Sequence, residues 1–193
     1  RSGATNYSLM AGTTGTHTPS SGFTTSGNLA TGFTSVKSGG TATVAATCSK
    51  VARDDGWASG EAQRIQLAIS GAGGSDEIHN FRATPAIADV AEGEWFYAEC
   101  KLKIVAAPVN INAIELYLLE SHPSTNQTAI DGGYNSTASL QLPAVTVTRL
   151  LRTPPIRRQA NSTALQCNLR TRMNTVPGTG GVTYDVVDCA VRK

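Results

Sequence analysis

Pairs of chemistry-bearing side chains recur two residues apart in this sequence. Tyr97 precedes Glu99, Glu115 precedes Tyr117, and Arg170 precedes Arg172. A spacing of two puts both members on one face of an extended strand. Such a face suits a polyhydroxylated ligand. An aromatic ring packs on apolar C–H groups, and carboxylate, amide or guanidinium groups give directional hydrogen bonds to hydroxyls. Gln166 and Asn168 share the parity of Arg170 and add amides. Two further aromatics, Trp57 beside Gly56 and Tyr134 in Asp131-Gly132-Gly133-Tyr134, fall in loop-like stretches and are candidates of the same kind.

The strands that must position these residues are legible as period-two patterns. In GEWFYAECKLKI, residues 93–104, Phe96, Ala98, Cys100, Leu102 and Ile104 form an apolar face, and Trp95, Tyr97, Glu99, Lys101 and Lys103 the opposite one. Ile114, Leu116 and Leu118 oppose Glu115 and Tyr117. Leu165, Cys167, Leu169 and Met173 oppose Gln166, Asn168, Arg170 and Arg172. Ile65, Leu67 and Ile69 mark another strand, TATVAATCSKV at 41–51 a further one, and VTYDVVDCAVR closes the chain with Val187, Cys189 and Val191 on one face. EIHNFRAT has mixed parity. About eight strands are expected, with no helix. If the strands of Tyr97 and Tyr117 share a sheet, the two rings form one platform, and Arg170 and Arg172 supply donors if their strand joins it. Trp95, just past a turn, is expected to cap the sandwich edge.

Composition agrees with this. Of 193 residues only 16% are charged, and glycine occurs 19 times. Thr, Ser and Gly are poor helix formers, and the pattern of short strands between turns fits two packed antiparallel sheets. The expected fold is an all-β, antiparallel two-sheet β-sandwich, a jelly roll, over residues 41–193. Residues 1–40, rich in Gly, Thr and Ser, are expected to form an extended N-terminal arm packed on or linking to that domain.

Several function classes find no support. A formal net charge of +2 gives no electrostatic footprint for nucleic acid or an anionic membrane surface. No apolar run has the roughly 18 residues of a membrane span, so no membrane insertion is expected. The chain opens on Arg1, which reads as a fragment or a processed piece. Cys48, Cys100, Cys167 and Cys189 form no CxxC, which argues against zinc. Three of them fall on apolar parity, which suits buried thiols, and disulfides stay open as an alternative. There is no GxSxG, HExxH or P-loop, and His17, His79 and His122 are far apart.

Taken in order, the segments LMAGTTGT, SSG, TSGNLATGFT, AQRIQLAISG, AEGEWFYAECKLKI, INAIELYLLES, LLRTPPI and YDVVDCAVRK resemble the C-terminal, carbohydrate-binding-module-like jelly-roll domains of phage tail fibre or spike proteins and of esterase-linked bacterial proteins. The resemblance implies a non-catalytic domain that binds a bacterial surface polysaccharide or other glycan, in a virion or extracellular setting. It also implies a structural calcium near the last strand, where Asp188 stands as a ligand, with no companion carboxylate evident. Two other classes remain open: a structural virion or assembly domain that oligomerises through its arm, for example as a homotrimer, and an accessory domain of a polysaccharide-active esterase or hydrolase.

Overall fold

Alternating apolar and polar residues can be buried on one side only, so the strands must form sheets that close on each other. The computed structural model of the chain shows this arrangement and describes residues 5–7, 15–52, 61–71, 77–84, 87–123, 126–131, 148–173 and 179–193. Fourteen strands are seen among them: β1 (Thr5–Tyr7), β2 (Thr16–Thr18), β3 (Phe23–Gly27), β4 (Phe33–Ser38), β5 (Thr43–Ala52), β6 (Glu61–Ser70), β7 (Glu77–Ala83), β8 (Trp95–Val109), β9 (Ile111–Ser121), β10 (Asn126–Asp131), β11 (Thr148–Arg152), β12 (Ile156–Arg157), β13 (Ala164–Met173) and β14 (Gly180–Arg192). A 3-10 turn, Ile87–Asp89, precedes β8.

One sheet runs β11-β8-β14-β6-β5-β3, with β12 also on β8 and β1 also on β14; the other runs β10-β9-β13-β7-β4-β2. Pairing is antiparallel except at two edges, where β2 pairs with β4 and β3 with β5 in parallel. The molecule is therefore a two-sheet β-sandwich, as the alternation predicts. β2, β3 and β4 come from the Gly/Thr/Ser-rich first forty residues, and Phe23, Leu29 and Phe33 are buried in the common core.

Between the sheets lie the faces expected to be apolar. Phe96, Ala98, Cys100, Leu102 and Ile104 from β8 meet Ile114, Leu116 and Leu118 from β9 and Leu165, Cys167, Leu169 and Met173 from β13. Phe33 and Phe81 stack with ring centroids 4.3 Å apart. All four cysteines are buried thiols. Sγ of Cys167 and Sγ of Cys189 lie 3.8 Å apart across the two sheets, and burial pushes the Cys48 thiol up to about 12. Tyr184 is fully buried, with its hydroxyl 3.3 Å from Oγ1 of Thr171 in the opposite sheet.

Where the chain crosses between sheets, polar groups are satisfied locally. Buried Gln63 accepts from the Ala30 amide at 2.8 Å and donates to the carbonyls of Asn28 at 3.1 Å and Ser49 at 3.0 Å. These bonds fasten the turn between β3 and β4. Gly27, at the start of that turn, has φ +86, and a Cβ there would sit 1.9 Å from the Cys48 carbonyl oxygen, so no other residue fits.

The mixed parity of EIHNFRAT resolves in favour of His79 and Phe81 facing the core, both buried. His79 Nε2 lies 2.8 Å from the Ser35 hydroxyl, which is also buried. This Ser–His pair is shut off from solvent. Burial, with a smaller contribution from the charge of His17, lowers the His79 pKa to about 3. In the unfolded chain the same imidazole takes a proton near the usual value of 6.5. The neutral ring therefore adds stability that is complete above pH 6.5 and is lost as pH falls toward 3, at up to about 1.4 kcal/mol per pH unit. Urea titrations should show stability declining between pH 6.5 and about 5, before most carboxylates protonate. A His79→Gln variant should flatten that decline; a wild-type profile already flat over this range would show that the ring is not held neutral.

Candidate functional site

The residues predicted to recognise a ligand divide between two outward faces. Tyr97 and Glu99 lie on β8 and Tyr117 and Glu115 on β9, and these strands belong to different sheets. The expected common platform of Tyr97 and Tyr117 is therefore not formed. Strand parity tells which way each residue faces but not which sheet its strand joins, and the sharp Val109–Ile111 reversal takes the chain from one sheet to the other. Asn110, with φ 55, makes that reversal and donates to the Thr179 carbonyl at 2.7 Å.

The strand of Arg170 and Arg172 does join the sheet of Tyr117. β13 pairs with β9 so that Asn168 stands opposite Tyr117, Arg170 opposite Glu115 and Arg172 opposite Ala113. On its other side β13 pairs with β7, setting Arg82 opposite Asn168 and Asn80 opposite Arg170. β4 then places Thr34 opposite Arg82 and Val36 opposite Asn80. One polar face thus runs across four strands. At roughly 4.8 Å per strand, the row Tyr117–Asn168–Arg82–Thr34 is about 14 Å long.

Within this face the groups are fixed by one another. Arg170 donates from Nε to Glu115 Oε2 at 2.8 Å, and a second bond from Nη2 to the same oxygen completes the pair. Its guanidinium carbon lies 4.8 Å from the centroid of the Tyr117 ring, within cation–π range. Nη1 of Arg172 is 3.6 Å from the other carboxylate oxygen of Glu115. Arg82 donates to Asn168 Oδ1 at 2.7 Å, and Asn80 donates to the Ser38 hydroxyl at 3.1 Å. Although these side chains point away from the core, Glu115, Asn168 and Asn80 are only 4%, 2% and 6% exposed. Sequence parity found Glu115, Tyr117, Arg170 and Arg172 and named Asn168; it missed Arg82 and Asn80, whose pattern within EIHNFRAT is ambiguous.

On the opposite sheet Arg152 donates to Glu99 Oε2 from Nε at 3.1 Å and from Nη2 at 2.6 Å. Its guanidinium carbon is 5.2 Å from the Tyr97 centroid, and Arg192 approaches Glu99 at 3.8 Å. The hydrogen bonds and charge of Glu99 raise the Arg152 pKa further. Trp95 does not cap the edge as expected. It is 60% exposed, and Phe96, on the other parity, is the residue that turns into the core.

Trp57 and Tyr134 lie outside the described residues. The backbone of Asp188 pairs with Lys101, and its side chain lies outside what is described. No group of three or more His, Cys, Asp or Glu suited to a metal occurs among the described residues.

The Glu115–Arg170 pair is nearly buried, with side chains 5% and 20% exposed. Removing one partner leaves a desolvated charge, which typically costs about 3–5 kcal/mol, whereas removing both is far milder. Arg170→Met should lower unfolding free energy by about 2–4 kcal/mol, given that Arg172 partly compensates. Adding Glu115→Gln should recover at least half of that loss. Additive losses in chemical denaturation would mean that the pair does not act as a unit.

No protein family matches the sequence, and no curated protein matches it either. Solved structures do match in shape. A protein described in work on the promiscuous specificity of carbohydrate-binding modules of the β-sandwich superfamily superposes with a TM-score of 0.53 at 14% identity; the alignment covers 84% of this chain and 57% of that one. The chain thus spans little more than half the length of that structure. A family 11 carbohydrate-binding module from Clostridium thermocellum aligns with TM-score 0.43 at 10% identity over 83% of this chain and 88% of its own. The enzymatically active domain of tailspike protein 4 of bacteriophage CBA120 aligns with TM-score 0.37 at 15% identity, over 81% of this chain and 19% of its own. The first of these likenesses establishes a fold shared with β-sandwich carbohydrate-binding modules, in keeping with the sequence resemblance.

Proposed function

We propose that the chain is a non-catalytic carbohydrate-binding domain and that its ligand lies on the outward face of the β9–β13–β7–β4 sheet. The observation that carries this reading is the set Tyr117, Glu115, Arg170, Arg172, Arg82 and Asn168, held in one hydrogen-bonded array. Polar groups that are already desolvated and oriented lose little rotamer freedom when a ligand arrives, and that preorganisation is what weak, multivalent sugar contacts need. Arg170 lies over the Tyr117 ring and steadies it, and the ring is only half buried, so part of it is left to pack on a sugar. Arg172 and Arg82 supply donors, and the nearly buried Glu115 and Asn168 hold the guanidiniums of this face in place. The length of the polar row fits a short stretch of oligosaccharide laid across the strands.

A shared fold does not by itself carry a ligand from one protein to another; the likeness to carbohydrate-binding modules supports the ligand class, and the array supports the location. The same proposal extends to the setting. The sequence resemblance to phage fibre and spike domains favours a cell-surface polysaccharide as the ligand and a virion or extracellular place of action.

A glycan array with the isolated chain should identify a bacterial polysaccharide ligand. Tyr117→Ala should then reduce retention of that glycan by at least about tenfold, while thermal stability changes little, since each good aromatic contact is worth on the order of 1 kcal/mol or more. A folded protein that retains no glycan, or unchanged retention by the variant, would remove this face from consideration.

A further inference from the structure

We infer that a second ligand site, independent of the first, lies at the end of the opposite sheet and takes a carboxylated sugar. It is formed by Trp95 and Arg157 beside an open hollow. β12 pairs with β8 so that Arg157 stands directly across from Trp95. Directly opposite residues in an antiparallel pair share a face and lie about 5 Å apart at Cβ. Trp95 is the most exposed of the large apolar side chains described, at 60%.

Arg157 is also exposed, and its Nε donates to the Gly93 carbonyl at 2.9 Å. That bond fixes the plane of the guanidinium without neutralising it, because no carboxylate among the described residues pairs with Arg157. Next to it is a hollow of about 450 Å³ lined by Glu92, Gly93, Arg157, Arg158, Gln159 and Ala160. Two cations, Arg157 and Arg158, and one carboxylate, Glu92, line the hollow. Lys193 pairs with Glu94 at 3.0 Å, and Arg152 and Arg192 share Glu99.

The chemistry of the site follows from these parts. An exposed indole is the strongest stacking surface a sugar ring can find. A planar guanidinium held by Nε presents its terminal nitrogens as a fork that matches a carboxylate. Glu92 and Gln159 in the hollow supply an acceptor and an amide for ring hydroxyls. A neutral sugar would use only the indole; a uronic acid would use both the indole and the fork. Gly93, whose carbonyl takes the Arg157 bond, has φ +81, a conformation that favours glycine.

The test is calorimetry with tetragalacturonate and with its carboxyl-reduced, neutral counterpart. Tetragalacturonate should bind, and the neutral tetrasaccharide at least about tenfold more weakly. Trp95→Ala and Arg157→Ala should each weaken tetragalacturonate by about tenfold or more, as should salt of about 0.5 M, which screens beyond a few Å. Tyr117→Ala, on the other sheet, should leave this binding unchanged. Both substituted side chains are at the surface, so folding is preserved, and thermal melts check it. Wild-type protein that ignores tetragalacturonate, or Trp95→Ala protein that binds it normally, overturns the second site without touching the first. Loss with Tyr117→Ala instead would assign the uronate to the β9–β13 face and likewise overturn it.

Discussion

The antiparallel register of β9 against β13 sets Glu115 opposite Arg170, and the polar face depends on that alignment. Side chains alternate with a strict period of two, so a slip of one residue would turn Glu115 and Arg170 toward the core and expose Leu116 and Leu169. The register is held from both sides. Leu116, Leu118, Leu165, Cys167 and Leu169 bury the inner faces of the two strands. The ion pair clamps the outer faces. Burial of a charge so close to a sheet is costly unless it is paired. The pair therefore stabilises the fold only while it is complete, and it is also what holds the tyrosine in place.

How much of this could be read from the chain depends on which physical rule each feature obeys. The alternation in β8, β9 and β13 is local, and it placed Phe96 to Ile104, Ile114 to Leu118 and Leu165 to Leu169 inward, where they are found. Sheet membership is not local. Tyr97 and Tyr117 have the same pattern around them, yet the tight reversal at Asn110 sends their strands to opposite sheets. β14 shows a second limit. Tyr184 and Val186 are buried, as are Cys189 and Val191. These two pairs have opposite parity, and the irregular register between Val186 and Asp188 reconciles them. The burial of Glu115 and Asn168 was also beyond the sequence, because each is held by an arginine from a neighbouring strand.

The two outward faces use a similar device. Tyr117 with Arg170 and Glu115, and Tyr97 with Arg152 and Glu99, each combine a ring, a guanidinium 4.8 or 5.2 Å above it and a carboxylate. The difference lies in solvation. The first carboxylate is 4% exposed and flanked by buried amides, a rigid and mixed polar surface. The second is 15% exposed and shared between Arg152, 56% exposed, and Arg192, 26% exposed. A β-sandwich exposes one face of each sheet, so two sites of unlike electrostatics on one domain need no change of fold.

On the proposed reading, glycan is held on the β9–β13–β7–β4 face. Amide chemical-shift mapping of the isotope-labelled chain, titrated with the polysaccharide fragment selected on an array, tests it most directly. The largest shifts should fall at Glu115, Tyr117, Asn168, Arg170 and Arg82, with the backbone of β5 and β6 unmoved. Shifts confined to other strands, with this face silent at saturating ligand, would contradict it.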